Sequence, residues 1–213
     1  MGQQQSQRHG EPSALAALRA LVPRRPLSYS EALRVAELQA DLLLRLAKIK
    51  EPPVPTDIVS RLPRMQVVCV GDSPVAGSVH WDGHDWIVVV NSRQHEPRRR
   101  YSLAHEFKHV IDHTTRAFLY TGMPRMTAAE QAERAADYFA GCLLMPHRQL
   151  KAAATDGCRT AAEYASRFVV PTAAAEKRLA QLGLAPPRSR QVRLVLEDTR
   201  PEQELDTVMG PKA

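Results

Sequence analysis

The residues best suited to chemistry stand together in Tyr101 to His113, YSLAHEFKHVIDH. Within it His105-Glu106-Phe107-Lys108-His109 forms an H-E-x-x-H. Side chains four apart share one helix face, so both imidazoles can meet a single ion, with the Glu106 carboxylate beside them. Two neutral nitrogen donors suit Zn²⁺, and a hydrolytic zinc site adds a third protein ligand and keeps one position open. The chemistry this implies is metal-assisted hydrolysis, in which Glu106 accepts a proton from the attacking water and then returns it.

The third ligand has to come from elsewhere. His113 continues the i+4 series, but it stands about 12 Å up a straight helix from His105, too far to converge on the same ion. A metzincin arrangement needs a helix-breaking glycine and a later histidine, and Asp112 and Thr115 occupy those places. Glu133 is the better candidate. It lies in a second apolar-periodic stretch, about 127 to 145, and a glutamate from a helix packed across the first completes a His₂Glu set. Asp137, one turn further on the same face, is placed to hydrogen-bond the other ring nitrogen of a ligand histidine and set its tautomer.

Elements that position these residues can be read on either side. Leu103, Ala104, Phe107, Val110 and Ile111 are spaced to bury one face of the H-E-x-x-H helix, with Ser102 as its expected N-cap. Upstream, a short helix is expected over 13 to 21, and a longer one from 31 to about 50 capped by Ser30, with the Leu42 to Leu46 run facing the core. Pro52, Pro53 and Pro55 make a stiff connector before a short helix capped by Thr56. The period then changes to that of strands at 65 to 70, 76 to 81 and 86 to 90, with Gly71-Asp72 and Asp82-Gly83 in the turns. Of the three, the 86 to 90 strand is the expected sheet edge for pairing with an extended peptide. Asn91 is expected to hold the following turn with its side chain.

Helical patterns recur at 147 to 154, 160 to 168 and 172 to 181. The last two, joined by Val169-Val170-Pro171, have the rhythm of a helix-turn-helix but read better as packing than as a DNA reader. His80, His84 and His95 read as surface or turn histidines. Arg98 to Arg100 either anchors the approach to the motif helix or forms a solvated basic face. Tyr101, Tyr120 and Tyr138 are open candidates for an oxyanion donor. Residues 1 to 12 and 186 to 213 read as flexible tails, with a possible isolated strand at 192 to 196.

Composition narrows the class. The net charge of +6 and pI near 9.5 raise a nucleic-acid partner, but the arginines are dispersed and no reader motif is present, so direct nucleic-acid binding is not expected. Three cysteines without a C-x-x-C pair supply neither a disulfide framework nor a zinc ribbon, and read as small buried hydrophobes. No apolar run approaches a membrane span and the first residues are not signal-like, which points to a cytoplasmic protein.

RRRYSLAHEFKHVIDH followed by ERAADYFAGCLLMP resembles the ImmA/IrrE family of metallo-endopeptidases, whose pattern is an A-H-E-x-x-H helix and then E-x-x-A-[DN]-x-F-A-x-x-L-L-M-P. The resemblance covers roughly residues 30 to 185. It implies His105, His109 and Glu133 as zinc ligands, Glu106 as catalytic base, and a helix-turn-helix repressor of the XRE type as the protein substrate, cut to relieve repression in a mobile-element or stress response. One departure is Lys108, where small or apolar residues are usual; a lysine there is expected at the mouth of the site. The expected fold is α+β: a mainly helical, zincin-like domain over 13 to 185 with a small three-stranded, largely antiparallel sheet. Two other functions remain in play. One is a non-catalytic regulator that only docks a repressor. The other, prompted by the basic pI, is a DNA-associated protease of the SprT-like kind, weakened by the missing Cys₄ ribbon.

Overall fold

A computed structural model describes residues 13–184. Helix α1 (Ala14–Ala20) is capped by Ser13, whose hydroxyl accepts from the Ala16 amide. Helix α2 (Tyr29–Leu46) is capped two residues earlier than expected, by Ser28. Ser28 and Glu31 form a reciprocal capping box, which satisfies two otherwise orphaned groups, whereas Ser30 at the same end cannot. Helix α3 (Asp57–Ser60) leads into β1 (Met65–Val70), β2 (Gly77–Trp81) and β3 (Trp86–Asn91).

The strand order is β1-β3-β2, with β1 parallel and β2 antiparallel to β3. The expected α+β, mainly helical class holds, with a mixed sheet. The expectation for the 86 to 90 strand does not hold. β3 is paired on both sides, so it offers no free edge; its alternate buried positions include Trp86, Val88 and Val90. Among the described residues β2 is a sheet edge. Asn91 closes the end of β3 as expected, its Oδ1 accepting from the Arg93 amide and its Nδ2 donating to the Ser73 carbonyl.

Helix α4 (Glu96–Asp112) carries the H-E-x-x-H and begins well before Ser102. Proline near its first turn suits a helix start, and Ser102 is buried mid-helix rather than capping. The arginine run anchors this end. Buried Arg100 donates to the carbonyls of Val169 and Val54 at 3.0 and 2.7 Å, and Arg99 donates to Ser92 and Gln94. At the other end Arg19 of α1 donates to the Val110 and Ile111 carbonyls, which a helix C-terminus leaves without partners.

After α4 come the one-turn helix α5 (Arg116–Leu119) and α6 (Ala128–Leu144), which has a Thr127–Glu130 capping box. The chain ends its described part with α7 (His147–Thr155), α8 (Ala161–Phe168) and α9 (Thr172–Gln181). Helix α6 is sandwiched between α2 and α4, which explains the solid apolar run Phe139 to Met145. Phe168, Val170, Ala175 and Leu179 join the same core, so α8 and α9 pack against the domain. A smaller cluster joins Leu27, Ala32 and Val35 to Leu119, Tyr120, Ala132 and Ala135, seating α5 between α2 and α6. The cysteines are free; Cys142 is buried as expected, but Cys69 is exposed on β1 and Cys158 is half-buried. No described helix is long and apolar enough to cross a membrane. The two sequence tails and the suggested strand at 192 to 196 lie outside the described residues.

Candidate metal centre

Packing α6 across α4 brings Glu133 to the two histidines one turn apart on α4. His105 Nε2 lies 3.3 Å from His109 Nε2 and 3.2 Å from Glu133 Oε2, and His109 Nε2 lies 3.5 Å from Glu133 Oε1. Donor atoms about 2.0–2.1 Å from one tetrahedral ion stand about 3.3–3.4 Å from each other. The two histidine nitrogens stand one such edge apart, and Glu133 offers each of them an oxygen at a similar distance, Oε2 to His105 and Oε1 to His109, so the donor set fits a metal ion. His113 is not in the cluster; its ring packs edge-on to Trp86 at 4.8 Å.

Asp137 is one turn along α6 from Glu133. Its Oδ1 lies 3.1 Å from His105 Nδ1, and its Oδ2 accepts from Lys177 Nζ of α9 at 3.0 Å. An N–H on Nδ1 directed at this carboxylate leaves Nε2 with its lone pair facing Glu133 and His109. The hydrogen bond from His105, then that from Lys177, holds the Asp137 carboxyl down at about 2. Burial alone would lower the His105 pKa, but the Asp137 bond and the nearby carboxylates raise it overall. Burial, and then the charge on His105, lowers the His109 pKa. The pair is thus split, with the first proton favouring His105.

Glu106 faces the same cleft, which has a volume of about 550 Å³ and is walled by β2, the end of α4, Arg116 and Glu133. Burial, chiefly, raises its pKa above the ordinary glutamate value. Its neighbour on β2 is Gly77. A Cβ built there would stand 2.8 Å from Glu106 Cγ and 3.0 Å from Oε1, so the strand can lie this close only because the side chain is missing. The lone glycine in a strand was the sequence signal for such an approach.

Lys108 is not at the mouth of the site. It is fully buried, with its Nζ 2.5 and 2.6 Å from the two oxygens of Asp112. Its ammonium is turned toward Asp112, one helix turn on, and Lys108 is not among the residues that line the cleft. The Tyr120 hydroxyl donates to the same Asp112 carboxylate at 2.5 Å. Burial raises the Tyr120 pKa and lowers that of Lys108. Tyr120 is thereby committed, as is Tyr101, whose hydroxyl donates to the Asp137 carbonyl at 2.9 Å; Tyr138 lies against Arg178. His84 and His95 are exposed turn and helix-start residues, while His80 forms part of the cleft wall.

The model of the Peptidase M78 family, described as the IrrE N-terminal-like domain, matches residues 70–180, just over half of the chain. That stretch includes β2, β3, both helices of the cluster and most of α9. The fold is similar to that of a Mycobacterium tuberculosis transcriptional regulator, with a TM-score of 0.58 and 17% identity over 79% of this chain. The likeness spans only 52% of that longer protein, and it speaks for the fold alone. No curated protein sequence matches this one. With the metallopeptidase motif and its second-helix glutamate converging in one cleft, the chain belongs to the Peptidase M78 family of IrrE N-terminal-like domains.

Proposed function

We propose that this protein is a cytoplasmic zinc-dependent endopeptidase, with a helix-turn-helix repressor as its protein substrate. The observation that carries this reading is the set of donor separations, 3.2, 3.3 and 3.5 Å, at which His105, His109 and Glu133 face one another with Glu106 in the same cleft. Two imidazoles and one carboxylate are a donor set typical of hydrolytic zinc. A zinc ion held there supplies Lewis acidity, making water acidic near neutral pH and polarising a peptide carbonyl.

The chain's own residues do the rest. Asp137 orients the His105 ring. Glu106 accepts the proton of the attacking water on a carboxylate oxygen and delivers it to the nitrogen of the leaving amine. Its raised pKa makes it a stronger base than an exposed glutamate. Substrate backbone is received by β2, not β3. Ala76 accepts from the Asn91 amide and Asp85 accepts from Asp82, so alternation along the pair turns residues 78 and 80 toward β3. Gly77, Val79 and Trp81 then turn their N–H and C=O groups outward, where an extended peptide can add as a further strand.

The repressor is the part drawn from family resemblance, and the chemistry of the cleft requires only an accessible, extended segment. The test is to incubate the zinc-loaded protein with the repressor encoded beside it, with and without chelator, and to run Glu106→Gln in parallel. The expected outcome is repressor shortening that chelator and Glu106→Gln both stop, with metal content unchanged in the variant. Cutting by Glu106→Gln at the parent rate would overturn the assignment of the base. Binding of the repressor without shortening would leave a docking protein in place of a peptidase.

A further inference from the structure

Charge in the cleft is unevenly compensated. Its lining carboxylates are Glu106, Glu133 and Asp112. Asp112 is neutralised by Lys108. A divalent cation between the histidines and Glu133 balances the remaining two. Arg116 is then left as a cation on the wall, exposed and with no carboxylate among the described residues in ion-pair range.

The arginine sits on a short helix that is held firmly. Tyr120 donates its amide to the Arg116 carbonyl at 3.0 Å and its hydroxyl to Asp112, while the Thr115 hydroxyl lies 3.4 Å from the Asp112 carbonyl. Leu119 is fully buried against α2 and α6, and the Phe118 carbonyl accepts from the Leu27 amide at 2.8 Å. Lys108, unusual in its motif, completes this attachment from inside α4 through the shared Asp112 carboxylate. The backbone of Arg116 is therefore fixed relative to the metal cluster, and only its side chain is free to reach into the cleft. That is the arrangement expected of a recognition residue: a rigid base and a planar, permanently charged fork that suits a carboxylate.

The cleft also fixes where such a contact falls. Gly77 lies against Glu106, and Trp81, at the other end of β2, packs at a tilt on Trp86 with ring centroids 5.3 Å apart, and Trp86 in turn meets His113. Four residues of strand span about 13 Å. A peptide added to β2 with its cut bond near Glu106 thus passes the His113–Arg116 wall within about four residues of that bond.

We infer that Arg116 is a specificity-determining residue, selecting an acidic side chain in the substrate within a few residues of the cut bond, on the side of β2 that runs toward Trp81. This deepens the peptidase reading and rests on it.

Two readouts separate the two. In the first, short fluorescent peptides carrying Asp, Ala or Lys at each position on either side of an apolar centre are titrated into zinc-loaded Glu106→Gln protein, with binding followed by anisotropy. In the second, the same peptides are offered to the parent protein and cleavage is measured with and without chelator. The Asp peptide at one position on one side is expected to bind about five- to tenfold more tightly than the Lys peptide. Arg116→Ala removes that preference, Arg116→Glu inverts it, and Arg116→Lys keeps part of it; metal content and melting temperature report that each variant is folded. A charge preference in binding without chelator-sensitive cleavage supports the subsite and removes the peptidase reading. Cleavage with no charge preference, a preference that survives in Arg116→Glu, or no peptide binding at all overturns the subsite.

Discussion

Gly77→Ala is the most direct probe of how the cleft is built. An added methyl would meet Glu106 Cγ at 2.8 Å, Oε1 at 3.0 Å and Cδ at 3.3 Å. Ordinary carbon contacts need about 3.5–4.0 Å, so the base must move by roughly 0.7–1.2 Å or the strand must back away by as much. The atom struck first is Cγ, in mid-chain, so rotating only the carboxylate does not relieve the overlap. A displacement of about 1 Å at a catalytic group costs about 10²-fold in rate, within the 10²–10⁴-fold that a general base contributes. Stability should change little. Gly77 does not have a positive φ, so alanine adds no backbone strain, and it removes about 0.5–1 kcal/mol of glycine entropy cost to offset the crowding. The expected result is a kcat lower by about 10² with zinc content and melting temperature near those of the parent, because the three atoms nearest the methyl all belong to Glu106 and none to His105, His109 or Glu133. Chelator-sensitive cleavage of the same peptide at the parent rate would refute the reasoning that Gly77 makes room for a working Glu106.

Other perturbations test separate parts. Lys108→Met leaves the Asp112 carboxylate buried without its cation and should cost about 3–5 kcal/mol, a melting temperature lower by roughly 10 °C, most of it recovered when Asp112→Asn is added; an unshifted melt for the single variant would contradict the buried pair. Val79→Pro deletes an amide that points away from β3, so it should raise KM for peptides with little change in zinc binding; an unaltered KM would place the substrate elsewhere. The raised pKa of His105 gives a pH dependence with a definite sign. In metal-free protein the stabilisation from charged His105 is fully present below the unfolded value of about 6.5 and is lost as pH rises through the raised folded value. Zinc needs the neutral ring, so the melting-temperature gain from zinc should grow from about pH 6 to about pH 8, and a gain flat across that range would count against His105 as a ligand.

Much of the site is local in origin and so was legible in the residues alone. The i+4 spacing that puts His105 and His109 on one face is a property of any helix, as is the one-turn step from Glu133 to Asp137 that places both near the same imidazole. The helix patterns of α6 and α9 were readable for the same reason, since their apolar periodicity is a consequence of short-range geometry. Lys108 and Asp112 also stand four apart, but spacing says only that they can meet, and says nothing about whether water is present when they do. Their burial comes from α1, α5 and the loop to α6 closing over that side of α4, which is a long-range event. Strand order is long-range too. The turn residues between the strands point to a largely antiparallel sheet with 86 to 90 at an edge, yet β1 and β2 both pair with β3, and this choice moves the free edge from the third strand to the second and sets Gly77 against Glu106. Periodicity carries the contacts within one helix or strand; which elements lie side by side is decided by burying all their apolar faces at once, and that cooperative packing brings Glu133, Lys177 and Arg116 to their places around one pair of histidines.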